Sequence, residues 1–141
     1  MKDDMKEHEI QEAAKETVVK DERPIDLKVR TGEFALRIIR LFAALPKTTE
    51  AQVLGRQLLR SGTSVGAQYR EAQRAKSNLD FISKVEGSLQ ELDETAYWLE
   101  LLSASDIVPA KKLQPLQKEA DELTAILVSI AKNVKKKAKS R

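Results

Sequence analysis

Apolar residues recur every three or four positions along four stretches of this chain, and no stretch alternates in the two-residue rhythm of a strand. The first stretch, from about Asp26 to Leu45, places Leu27, Phe34, Ile38, Leu41 and Leu45 on one helical face, and Pro46 stops it. A second stripe on the same segment, Val29, Leu36, Ile39 and Ala43, lies nearly opposite. One apolar face is enough for a helix on the surface of a lone bundle. Two faces predict that this helix is covered twice, by its own bundle and by a neighbouring subunit.

The second helix is predicted to start at Thr49, where Thr49 and Gln52 have the spacing of a capping box. Leu54, Leu58, Ser61, Val65, Tyr69 and Ala72 form its apolar side, with Gly55, Gly62 and Gly66 clustered on one flank. A glycine costs about 1 kcal/mol against alanine inside a helix. Three on one flank therefore predict close approach of another backbone, the alternative being a break near Ser61-Gly62. Ser77 caps a third helix running to about Ser103, with Ile82, Val85, Leu89, Leu92, Ala96 and Leu99 as its buried stripe. Glu86, Asp93 and Glu100 recur every seven residues along the margin of that stripe. The fourth helix opens near Pro109 and carries Leu113, Leu116, Ala120, Leu123, Leu127, Ile130 and Val134, with a kink or fresh start expected at Pro115. The short connection after Arg74 makes the second and third helices antiparallel neighbours. The fold class is all-α: an up-down-up-down antiparallel four-helix bundle over residues 25–134, between an N-terminal extension (1–24) and a C-terminal tail (135–141).

Charge adds a second pattern. Arg56, Arg60, Arg70 and Arg74 fall on a single side of the second helix, with Thr63 and Ala67 between them and the apolar side opposite. The extension is polar and acidic, whereas no acid follows Glu122 and the chain ends in Lys135, Lys136, Lys137, Lys139 and Arg141. Composition sharpens the picture in one respect: aromatics are only 4% of residues, so the core must be built from Leu, Ile, Val and Ala. No run of apolar residues reaches the length of a membrane span and the N-terminus has no secretory pattern, so the expected location is the cytoplasm.

Candidate chemistry is sparse. Cysteine is absent, which removes thiolate catalysis, thiolate metal sites and disulfides. The single histidine, His8, lies in the polar extension. Glu91, Asp93 and Glu94 lack the Glu-x-x-His arrangement of carboxylate-bridged metal bundles. Ser61, Thr63 and Ser64 have no base at a spacing that would activate them, and Gly62 and Gly66 sit inside a helix instead of a phosphate-binding loop. The expectation is a protein that binds and does not catalyse, with no cofactor and no metal.

Two accounts of the arginine row stay open. Its guanidinium groups pair with acids of the third helix or of an adjacent subunit, namely Glu86, Asp93 and Glu100. Alternatively Arg56, Arg60, Arg70 and Arg74, with Lys135, Lys136 and Lys137, contact the phosphates of RNA or DNA. No aromatics interleave with the arginines, which counts against a platform for unpaired bases. Val29, Leu36, Ile39 and Ala43 are the candidate subunit interface, with Trp98 near the rim of the third helix's stripe as a further anchor.

The segments Phe34-Ala-Leu-Arg-Ile-Ile-Arg-Leu-Phe-Ala-Ala-Leu-Pro46 and Gln57-Leu-Leu-Arg-Ser-Gly-Thr-Ser-Val-Gly-Ala-Gln-Tyr-Arg-Glu-Ala72 carry a resemblance to a known family. So do Phe81-Ile-Ser-Lys and Glu91-Leu-Asp-Glu-Thr-Ala-Tyr-Trp-Leu-Glu-Leu-Leu102. They resemble the bacterial four-helix-bundle proteins first noticed as reading frames in intervening sequences of 23S ribosomal RNA genes. The likeness covers about Asp26 to Val134. It implies a ring-like homopentamer, and a more distant similarity to the accessory variability determinant of diversity-generating retroelements implies nucleic acid and a reverse transcriptase as partners. Gln68 departs from the pattern, which usually has Asn there, and the acidic extension lies outside it.

Overall fold

The computed structural model describes residues 26–139. The extension 1–24 with His8, and the final Ser140 and Arg141, lie outside the described residues. Four helices follow one another: α1 (Leu27–Ala44), α2 (Thr49–Gln73), α3 (Asn78–Ala104) and α4 (Ala110–Lys139). Each packs on the next, and α1 and α4 meet only sparsely. This is the up-down-up-down order, with its thin seam between the first and last helices.

Local chemistry sets the ends. The Asp26 carboxylate accepts from the Val29 N–H at 3.2 Å and Ser77 Oγ from the Asp80 N–H at 3.1 Å, so each satisfies a donor that the first turn leaves free. At α2 the cap is Thr48, one residue earlier than the sequence spacing suggests, its Oγ1 accepting from the Ala51 N–H at 3.3 Å. Gln52 consequently makes no capping box and donates to the Pro46 carbonyl at 2.9 Å. α3 ends with Asp106 in the left-handed region (φ 61°). There the Asp106 and Ile107 N–H groups bond the carbonyls of Ser103 (3.0 Å) and Leu102 (3.1 Å), the Schellman arrangement. α4 runs without a break through Pro115 and on to Lys139, so neither a fresh start nor an end at Val134 occurs. Proline removes one backbone bond there, and buried Leu113 and Leu116 on either side hold the helix to the core.

The α2 glycines receive α1. An added methyl group at Gly62 would lie 2.8 Å from Ile38 Cγ1, and one at Gly66 would lie 3.0 Å from Thr31 Oγ1. α2 is continuous there, so close approach is the correct reading and the break is not. On its other flank α2 packs on α3 through small polar residues. Thr95 Oγ1 donates to Ser61 Oγ at 2.9 Å, and Ser88 Oγ donates to the Val65 carbonyl at 2.9 Å. These bonds shift the buried face of α3. Its centre line is Phe81, Val85, Ser88, Leu92, Thr95, Leu99 and Leu102, while Ile82, Leu89 and Ala96 lie half-buried to one side.

Candidate binding surfaces

The outward side of α2 is where the sequence concentrates fixed positive charge. From Ala51 to Arg70 the helix contains no acid, and Arg56, Arg60, Arg70 and Arg74 are all exposed. Among the described residues only one of them is committed. Arg60 meets Glu91 at 3.3 Å and also pairs with Glu94, both on α3. Among the described residues Arg56, Arg70 and Arg74 form no ion pair. α2 and α4 finish at the same end of the bundle, so Arg70 and Arg74 share that end with the α4 lysines. Lys135 reaches Glu86 at 3.5 Å, Lys137 is half-buried, and Lys136 stands exposed. These lysines lie on the last turns of a helix, where positive charge is favoured by the exposed carbonyl ends.

The seven-residue spacing predicts Glu86, Asp93 and Glu100 as partners for the arginines; within the chain Arg60 pairs with Glu91 and Glu94 in their place. The cause is the rotation of α3. With Ser88 and Thr95 turned into the bundle, Glu91 and Glu94 face α2, and the seven-residue acidic row lies toward α4 and solvent. Glu86 accordingly pairs with α4, and among the described residues Asp93 and Glu100 form no ion pair.

An ion pair that periodicity does not reveal closes the α1–α4 seam. Arg30 donates from Nε and a terminal nitrogen to the two oxygens of Glu119, at 2.8 and 2.7 Å, and also contacts Glu122 at 3.2 Å. The hydrogen bond that Arg30 donates to Glu119 raises the Arg30 pKa further, against the opposing effect of partial burial. Glu119 lies 89 residues away in sequence, beyond any local spacing signal.

The candidate subunit face on α1 is unpartnered among the described residues. Val29 is 53% exposed, Leu36 50% and Ile39 43%, and Ala43 is exposed beside them. Trp98 turns onto the flank of the core and leaves its neighbour Tyr97 to project, 51% exposed, with the two rings 5.1 Å apart. The Trp98 indole N–H is buried without an acceptor among the described residues.

The hydroxyls of Thr63 and Ser64 bond to carbonyls one turn back, and Ser61 bonds within the helix and to Thr95. They serve packing. Among the described residues no group of three or more His, Asp or Glu is placed to hold a metal ion, and no helix is long and apolar enough to cross a membrane.

Comparison with known proteins agrees with this architecture. The family model for the 23S rRNA-intervening sequence protein matches residues 25–129. A crystal structure of a protein of unknown function from the S23 ribosomal protein family of Bacteroides thetaiotaomicron VPI-5482 superposes with a TM-score of 0.71. It is 40% identical, and the match covers 74% of this chain and 94% of that one. No curated protein matches.

Proposed function

This chain belongs to the 23S rRNA-intervening sequence protein family, and from that premise we propose that it is a non-enzymatic, self-assembling cytoplasmic bundle that binds nucleic acid through the outward side of α2. One observation carries the binding claim: a helix face with four exposed arginines, no acid from Ala51 to Arg70, and, among the described residues, only Arg60 neutralised by a neighbouring helix. Fixed cations spaced along a rigid helix suit a phosphate backbone, whose affinity for them is sequence-independent and salt-dependent. The assembly claim is supported by the uncovered apolar stripe of α1.

A salt titration with double-stranded RNA and DNA tests the binding. Each phosphate contact contributes about 0.9 to the slope of log affinity against log salt on B-DNA. Replacing Arg56, Arg70 and Arg74 together with glutamine is expected to reduce that slope by about three contacts, and Arg60→Gln by less than one. Absence of binding at low salt, or an unchanged slope in the triple variant, overturns the proposal.

A second reading, a protein-interaction scaffold, is favoured by the Arg60–Glu91–Glu94 cluster, in which a guanidinium is already spent on carboxylates. On that reading Arg60→Glu alters the mass of the assembly, and the triple variant leaves nucleic acid behaviour unchanged.

A further inference from the structure

We infer that the acidic part of the N-terminal extension, residues 3–12, docks on the cationic side of α2 in the same chain and occupies it as an internal substitute for phosphate. The inference rests on the nucleic-acid part of the proposed function and adds how access to that surface is regulated.

The face calls for an anionic occupant. Arg56, Arg70 and Arg74 are exposed and form no ion pair among the described residues, and no acid lies between Ala51 and Arg70. Thr63 and Ala67, between the arginines, are small, so a second backbone can lie close to the row. The 18 residues from Arg56 to Arg74 make five full turns, which return the two positions to one line about 27 Å apart.

The chain carries such an occupant, outside the described residues. In residues 3–12 five acids, Asp3, Asp4, Glu7, Glu9 and Glu12, stand against the single base Lys6. Residues 13–24 balance three acids with three bases, so the negative charge is concentrated beyond an electrically neutral tether. Where that tether joins the bundle decides which surface the acids meet. Asp26 lies close enough to Tyr69 for its charge to act on the phenol, and Tyr69 is the chain neighbour of Arg70. The extension therefore enters beside the Arg70–Arg74 end of α2. From Asp26 to Glu12 the chain can span about 45–50 Å, and from Glu12 to Asp3 a further 30 Å or so, at about 3.3–3.6 Å per residue. Both exceed the length of the row. The lysines at the end of α4 are the other cationic surface at that end. Lys135 is already engaged with Glu86, and an ammonium holds a carboxylate less firmly than the planar fork of a guanidinium.

The chain has no cysteine, so a disulfide trap reads the contact directly. Met5→Cys, within the acidic part, is combined with Ala67→Cys on the arginine row, with Ala138→Cys among the α4 lysines, or with Ala125→Cys beside the exposed Asp121 and Glu122. None of these changes removes a charge or a core side chain. At low salt the bond to position 67 is expected to close within one chain about ten times faster than the bond to either other position, because docking raises the local concentration. In 1 M salt, where the screening length is about 3 Å, the difference should vanish. Equal rates at the three positions, a faster bond to position 138, or a bond formed only between chains overturns the docking.

Regulation is read on the full chain carrying Asp3→Asn, Asp4→Asn, Glu7→Gln, Glu9→Gln and Glu12→Gln. A segment docked about nine-tenths of the time weakens apparent affinity about tenfold, so this variant is expected to bind duplex RNA at low salt about tenfold more tightly than the wild-type chain. The gain should disappear when Arg56, Arg70 and Arg74 are also glutamine. An unchanged affinity, or a gain that persists without the arginines and so reports net charge alone, overturns the competition and leaves nucleic-acid binding standing. A five-acid variant that binds no duplex overturns nucleic-acid binding, while the trap still decides the docking.

Discussion

Tyr69 is the residue whose ionisation the fold most disturbs. Burial in the core, and then the negative charge of Asp26, push its phenol up to about 12 from an ordinary value of 10.0. The folded chain therefore holds that proton more tightly than the unfolded chain does. Its contribution to stability is whole below pH 10 and is lost as the pH climbs through about 12, a loss of about 2–3 kcal/mol at 1.4 kcal/mol per unit. Denaturant melts between pH 9 and 12 should show this decline in the wild-type chain and a shallower one in Tyr69→Phe. Gly62 sets a second expectation. Alanine there would gain about 1 kcal/mol of helix propensity. Its methyl group would also stand 2.8 Å and 2.9 Å from both γ carbons of Ile38, and 3.2 Å from that residue's Cβ, which a rotamer change cannot move. Overpacking of this kind costs about 1–3 kcal/mol, so Gly62→Ala should lower the midpoint of urea unfolding, by a net loss of about 1 kcal/mol.

At the scale of elements, each helix was legible because its apolar period was strong, and the misreadings have identifiable causes. The large residues Ile82 and Leu89 predict one phase for α3, whereas the structure turns Ser88 and Thr95 inward. Hydroxyls that bond across to Ser61 and to the Val65 carbonyl let α2 and α3 approach more closely than leucines would. Binary patterning scores those positions as polar, and the same error misassigned the acids facing the arginines. The end of α3 was legible to within one residue, although Asp106 occupies a left-handed position that glycine or asparagine usually marks. Arg30 was invisible for another reason: its partner comes from the far end of the chain. At a seam where α1 and α4 barely touch, this two-pronged pair is a principal tie between them. Arg30→Ala should cost about 1–3 kcal/mol by leaving the largely covered Glu119 carboxylate without its donor. Arg30→Lys should recover little, because an ammonium cannot span both oxygens. Thermal melts of the two variants beside Arg60→Ala, a more exposed pair expected to cost under about 1 kcal/mol, rank the two sites.

For the whole molecule, the notable property is a division of faces. One side of α2 is cationic and open, α1 is apolar edged with cations, and the outer flank of α3 is acidic around an exposed tyrosine. The core is closed by its own leucines, so the α1 stripe has no partner among the described residues. About half of each of Val29 and Leu36 is left in water, and at about 25 cal/mol per Å² of apolar area, covering that stripe on another copy is favourable. The size of the particle in solution is therefore the direct measure. Sedimentation equilibrium of the full chain at micromolar concentration should return a mass several times 15.8 kDa, reached in one association step. A compact species of 15.8 kDa that persists as concentration rises would contradict the account.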